Sequence, residues 1–320
     1  MWRVLYDIYH DECKEGGYWH GFLFVPRQTR MLLLELLTRA RANANHYEQL
    51  HYVTIGRSTN PHGKKCITTE AWTSIGCNAL QQEKLRKYPP KVSLGRKPSP
   101  HSRIELCPLN TLLLCKFVLF RENDNHQKMY AGMTELQCIE TTFRMGIKGG
   151  IHKLFSESSP ITIGNVFMDG DEHYRGLYGR NFSINRTLQR LASERRAYVS
   201  FSSDTQLIPQ QSNHKQIRPG QNADDSHLLQ LCDILLGGFR FHSCFGDRAH
   251  PRFQVSYHCR VLLDHEQHNA ARMAESRYFN GFSLQQAQIE HGDWTFLPLE
   301  LAPSAKGAVQ ECLPLQLASS

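Results

Sequence analysis

The chain has 320 residues, 40% of them hydrophobic and 10% aromatic, with a formal net charge of +7 at pH 7. That is ample apolar material for a core and excludes wholesale disorder. The longest apolar runs, such as LLLCKFVLF, fall far short of the ~20 residues that a membrane helix needs.

The opening MWRVLYDIYHDE meets acids too early to hold the apolar stretch of a signal peptide. Ten scattered cysteines without a C-x-x-C pair read as free thiols in a cytoplasmic protein. Residues 2–10 and 18–25, rich in Trp, Tyr, Val, Ile and Phe, read as strands of a hairpin, with Asp11, Glu12 and a Gly-Gly pair in its turn. The Leu- and Arg-rich segment 28–44 predicts a helix, LHYVTI (50–55) a short strand, and 68–87 a helix that leads into a basic, Pro-rich loop. TLLLCKFVLF (111–120) suits a strand buried on both faces. Residues 134–149 follow as a helix with Gly149 and Gly150 as its stop signal.

ITIGNVFMD (161–169) is again a strand, ending on an acid. Residues 184–197 predict a helix, 197–203 a strand, and 205–222 a polar loop. DDSHLLQLCDILLGGFRF (224–241) is an apolar helix with Asp or Ser at its start. A hairpin followed by alternating strands and helices implies an α/β fold with parallel portions in its sheet. Residues 1–245 are expected to form one domain, 246–300 a C-terminal extension packed on it, and 301–320 a disordered tail.

Three acids are candidates for chemistry. Asp233 lies in LLQLCDILLGG, with Leu229 and Leu236 on its own helix face. An unpaired buried carboxylate costs several kcal/mol, so it needs an Arg, backbone donors or a metal. Gly237 and Gly238, one turn on, suit close packing against a sheet. Asp169 ends an apolar strand, as Asp11 does, with Asp171 and Glu172 just beyond. Alone, either would read as a turn or cap residue. Together the three fit a convergent site for Mg²⁺ or Mn²⁺, which prefer hard oxygen ligands. Two such ions roughly 4 Å apart can hold the attacking and leaving oxygens of a phosphodiester. Glu12 is read as a turn residue.

These motifs resemble a known family. YHDEC and the Gly turn after it are similar to the Y-x-D-E-S-G opening of the domain of unknown function 3800 family. SHLLQLCDILLGGFRF resembles that family's late L-Q-L-A-D helix, and QLHYVTIGR resembles its E-L-H-F segment. The resemblance implies a ribonuclease H-like mixed sheet flanked by helices and a metal-dependent nuclease with Asp11, Asp169 and Asp233 as ligands. Where the family pattern has Glu before Leu-His, this chain has Gln49. Glu48, one residue earlier, is therefore the candidate fourth acid. Cys13 stands where the pattern has Ser.

Between Glu83 and Glu105 the chain carries no acid. Lys84, Arg86, Lys87, Lys91, Arg96 and Lys97, in the loop 84–103, suit either a solvated surface or a mobile arm that grips nucleic-acid phosphates. Arg186 and Arg190 share a predicted helix face with the same two readings. His10, His20, His51 and His227 are proton-shuttle candidates. HEQHN (265–269) lacks the spacing of a zinc-binding H-E-x-x-H helix. The sequons at 181–183 and 185–187 carry no meaning in a cytoplasmic chain. The expected function is phosphodiester hydrolysis in DNA or RNA. The alternatives are a catalytically impaired nucleic-acid-binding or accessory module and a small-molecule phosphodiesterase.

Overall fold

A computed structural model describes residues 3–15, 17–55, 63–80, 114–122, 131–155, 160–169, 199–213, 215, 222–245, 250–263, 282–290 and 293–299. The basic loop 84–103, the predicted helix 184–197, the sequons, HEQHN, Asp171, Glu172 and the tail 301–320 lie outside the described residues.

Two segments rich in bulky apolar residues set the centre of the fold. β1 (Val4–Cys13) and β2 (Trp19–Pro26) form the expected hairpin, and β2 is buried along its whole length. The strand does not stop before the acids. Asp11 pairs with Gly21 and Glu12 with His20 inside the antiparallel ladder. Glu12 is thus a strand residue whose carboxylate takes the Tyr18 hydroxyl at 2.5 Å.

Helices α1 (Arg30–Ala44), α2 (Tyr52–Ile55) and α3 (Lys64–Leu80) follow. The segment expected to be a strand at 50–55 is instead a single helical turn. Its entering N–H groups, on Leu50 and Tyr52, are taken by side chains of a later helix rather than by a neighbouring strand. β3 (Lys116–Glu122) then pairs antiparallel to β2.

The next helix, α4 (Glu135–Leu154), opens on a capping box between Thr134 and Gln137 and runs through Gly149 and Gly150 rather than stopping there. A Cβ at Gly146 would meet the Phe22 ring at 2.4 Å, and one at Gly150 would meet Val118 at 2.3 Å. These glycines bring the helix onto the sheet, so close packing and not chain termination explains them.

β4 (Ile161–Asp169) runs parallel to β1. β5 (Val199–Phe201) pairs with its first half, and β6 (Leu207–Gln210), inside the expected polar loop, with its second half. Helix α5 (Ala223–Cys244) is capped by Asn222, whose side chain accepts from Asp224 N at 2.9 Å, rather than by Asp or Ser. Gly237 faces the Tyr52 ring and Gly238 the Cys259 thiol, so neither packs on the sheet. After the short α6 (Pro251–Val255), β7 (Phe282–Glu290) pairs parallel to β3 and β8 (Asp293–Pro298) antiparallel to β7. The expected packed extension therefore supplies strands of the sheet itself.

The result is an α/β fold around an eight-stranded mixed sheet of order β5-β4-β1-β2-β3-β7-β8, with β6 beside β4. One face carries Tyr9, Leu23, Val25 and Phe117 under α1, α3 and α5, where Leu33, Leu37, Trp72, Leu231 and Leu235 meet them. The other carries Ile8, Phe22, Phe24, Val118 and Phe120 under Phe143, Ile147 and Ile151 of α4. Among the described residues no helix is long and apolar enough to cross a membrane, and the described cysteines are free.

Candidate carboxylate site

Strand register brings the first two acids together. β1 and β4 are parallel neighbours, and His10 pairs with Met168. Asp11 and Asp169 are the next residues along the two strands, which lie about 4.8 Å apart. The third acid arrives on α5. Its Cys232 thiol lies within hydrogen-bond reach of the backbone oxygens of Tyr9, at 3.3 Å, and Gly21, at 3.5 Å. This seats the residue before Asp233 over Tyr9 and over Gly21, the ladder partner of Asp11. Burial holds the Asp11 carboxyl well above the ordinary carboxylate range, and the charges of Asp233 and Asp169 push it further up. Three acids far apart in sequence thus share one electrostatic environment.

Asp233 answers the question its apolar helix raised. Its Oδ2 accepts from the Tyr52 backbone N–H at 2.7 Å and pairs with His51 Nδ1 at 2.9 Å. The partners are a backbone donor and a histidine, not an arginine. A carboxylate oxygen only accepts, so in this pair the donor is His51 Nδ1. The negative charge of Asp233 and this hydrogen bond raise the His51 pKa, outweighing its burial. The His51 side chain remains 49% exposed, so its ring is open to an incoming molecule.

A basic group completes this wall. Lys65, in the first turn of α3, donates to Thr54 Oγ1, and the Thr54 hydroxyl donates to the His51 carbonyl at 2.8 Å. Burial holds the Lys65 ammonium below its ordinary value, against the pull of carboxylates that include Glu48 and Asp233.

The fourth candidate acid stands apart. The Glu48 carboxylate is 76% exposed and pairs with Lys215 at 4.0 Å. The neighbouring Gln49 amide instead donates to Ser212 Oγ at 3.2 Å, and Ser212 N–H donates to Asp169 Oδ1 at 3.4 Å. The Gln49 amide is therefore linked to Asp169 through Ser212.

Of the other shuttle candidates, His10 and His20 lie on the opposite face of the sheet. His10 meets His20 at 3.3 Å and His20 meets Glu122 at 2.8 Å, all three buried. His227 packs edge-on against Trp72. His51 is the candidate hydrogen-bonded to one of the three acids.

The donor set fits a hard divalent cation in kind and charge. Asp11, half-buried and acted on by two like charges, is the group whose ionisation such a cation would most favour. Among the described residues no three Asp, Glu, His or Cys side chains are arranged to enclose an ion as they stand. Asp233 is turned toward His51 and Tyr52, so enclosing an ion requires its carboxylate to share or reorient.

Sequence reasoning missed Lys65, Ser212, Gln230 and Arg41. Gln230 had a signal: it is a second polar residue in the apolar stretch of α5, one turn before Asp233. Arg41 sits over the Trp72 ring at 4.6 Å, and burial pulls its guanidinium down to about 10. Nothing in its Arg-rich helix separates it from exposed neighbours such as Arg39.

The chain matches no protein-family model, no curated protein and no solved structure.

Proposed function

We propose that the protein is a Mg²⁺- or Mn²⁺-dependent nuclease that hydrolyses phosphodiester bonds of DNA or RNA at Asp11, Asp169 and Asp233. The observation that carries this is that the charges of Asp233, from α5, and Asp169, from β4, act on the Asp11 carboxyl of β1, with a partly exposed histidine hydrogen-bonded to Asp233. The ribonuclease H-like reading of the fold is supported by the antiparallel β1–β2–β3 meander extended by parallel strands on the β1 side. Asp169 ends β4, and Asp11 lies near the end of its parallel neighbour β1.

Bound divalent ions would supply Lewis acidity and charge neutralisation at the phosphate. The chain's own residues do the rest. Asp11 and Asp169 gather negative charge at adjacent strand positions. Asp233 fixes the His51 ring through Nδ1 and favours its charged form. His51 can then pass its Nε2 proton to the departing 3′-oxygen. Lys65 offers a cation to the substrate phosphate. The basic residues of loop 84–103, with Arg186 and Arg190, are proposed to hold the nucleic-acid backbone.

A binding or accessory module is the second reading, favoured by the outward-facing Glu48 and by Gln49 beside Asp169. The test incubates purified protein with single- and double-stranded DNA and RNA plus Mg²⁺ or Mn²⁺, alongside Asp11→Asn and Asp233→Asn. Cleavage lost in both variants supports the nuclease. Cleavage that persists in both sinks the carboxylate site, and binding without cleavage by the wild type favours the accessory module.

A further inference from the structure

Gln230 is fully buried in α5, one turn before Asp233. Its Oε1 accepts from Arg41 Nη2 at 2.7 Å and from the Leu50 backbone N–H at 2.9 Å. Its Nε2 donates to the Ser212 carbonyl at 2.6 Å and to Ser226 Oγ at 3.2 Å. Both lone pairs and both N–H bonds of the amide are thus engaged. The amide orientation is fixed by chemistry, because Arg41 and Leu50 can only donate and the Ser212 carbonyl can only accept.

The groups it joins are those that carry the site. Leu50 precedes His51, and Ser212 donates to Asp169 while its hydroxyl takes Gln49. Arg41, held by Gln230, donates in turn to the Glu48 carbonyl at 2.6 Å, which pins the same loop from α1. Ser226 Oγ doubles the hold on the Ser212 carbonyl at 2.5 Å.

We infer that Gln230 is a positioning residue that clamps the loop bearing His51 and the loop orienting Asp169 to the helix bearing Asp233, so that one amide sets the geometry of the carboxylate site. As a role in catalysis, it rests on the nuclease reading above. The clamp itself does not. Only an amide serves, since the four partners need two acceptor and two donor sites from one planar group. Glutamate would keep the acceptor side for Arg41 and Leu50 but set a carboxylate oxygen against the Ser212 carbonyl. Methionine would lose both sides.

The test compares full-length wild type, Gln230→Glu and Gln230→Met, first by amide hydrogen exchange of segments 46–55 and 207–213. In Gln230→Glu, exchange should rise about fivefold to tenfold in 207–213 alone, the effect of one lost hydrogen bond on local opening. In Gln230→Met it should rise in both segments. Exchange unchanged in both variants would overturn the clamp. Kinetics with Mn²⁺ then separate positioning from support of the fold. Gln230→Glu should lose roughly 10²-fold in kcat at unchanged KM. A kcat equal to wild type in a folded Gln230→Glu protein with raised exchange would overturn the positioning role. A wild type that cleaves nothing would overturn the nuclease reading, and the exchange pattern would still decide the clamp.

Discussion

Asp233 Oδ2 and His51 Nδ1 lie 2.9 Å apart, and the backbone N–H of Tyr52 reaches the same oxygen at 2.7 Å. One carboxylate of α5 therefore caps α2 and holds a partly exposed imidazole. Replacing it separates the two jobs. Asp233→Asn keeps an oxygen for Tyr52 N–H and should fold normally. Asp233→Ala strands that buried donor and should cost about 1–3 kcal/mol in urea unfolding. Both should abolish divalent-dependent cleavage.

His51 gives the pH dependence. Its pKa is raised in the folded protein by Asp233. As a proton donor it is competent below that raised value and loses competence as pH rises through it. The stability it draws from Asp233 follows the same sign: fully present below about 6.5, the unfolded value, and lost as pH climbs past the folded one. His51→Gln should cut the rate roughly 10²-fold and erase the alkaline limb of the pH–rate profile. An alkaline limb that survives in the variant would assign the proton to another group.

Gly146 tests the packing of α4. A methyl there would stand 2.4 Å from Phe22 and 2.5 Å from Phe120. Both rings are buried in the core of that face. Gly146→Ala should therefore destabilise the fold by about 1–3 kcal/mol, read from the urea midpoint, although alanine is the better helix former.

Legibility in the sequence followed the range of the forces involved. The hairpin, β4 and α5 were readable because their burial patterns are local. Asp233 stood out because a charge in an apolar helix needs a partner. LHYVTI misled because its β-branched residues favour a strand, while Asp233 and Gln230, some 180 positions away, take its backbone donors. β6 was hidden because four residues, one of them Pro209, suffice beside β4. β7 joins β3 across more than 150 residues, a pairing no local pattern encodes. Of the site, the three acids were visible and were read together, but the pairing of Asp233 with His51 and the clamp at Gln230 depend on helix and loop placement.

Gln49 offers a gain-of-function test. Its amide reaches Ser212, which donates to Asp169. Gln49→Glu would add an acid beside Asp169. It should lower the metal-free stability through like-charge repulsion and tighten Mn²⁺ binding by roughly tenfold, since affinity follows ligand charge. Calorimetric titration reads the second effect, and unchanged affinity would exclude position 49 from the site.

The most direct measurement is thermal unfolding of wild type and Asp11→Asn with and without Mn²⁺. Burial and the neighbouring carboxylates hold the Asp11 carboxyl above its ordinary range. The folded chain therefore binds that proton more tightly than the unfolded chain does. Stability without metal should fall as pH rises from about 4 toward the folded value. Asp11→Asn removes this penalty and should be the more stable protein at neutral pH without metal, with the difference vanishing below about pH 4. Mn²⁺ at 100 times its Kd should stabilise the wild type by about 2.7 kcal/mol and leave Asp11→Asn almost unmoved. Equal stability of the two proteins at every pH, with the same response to Mn²⁺ or none in either, would contradict a cation site at Asp11.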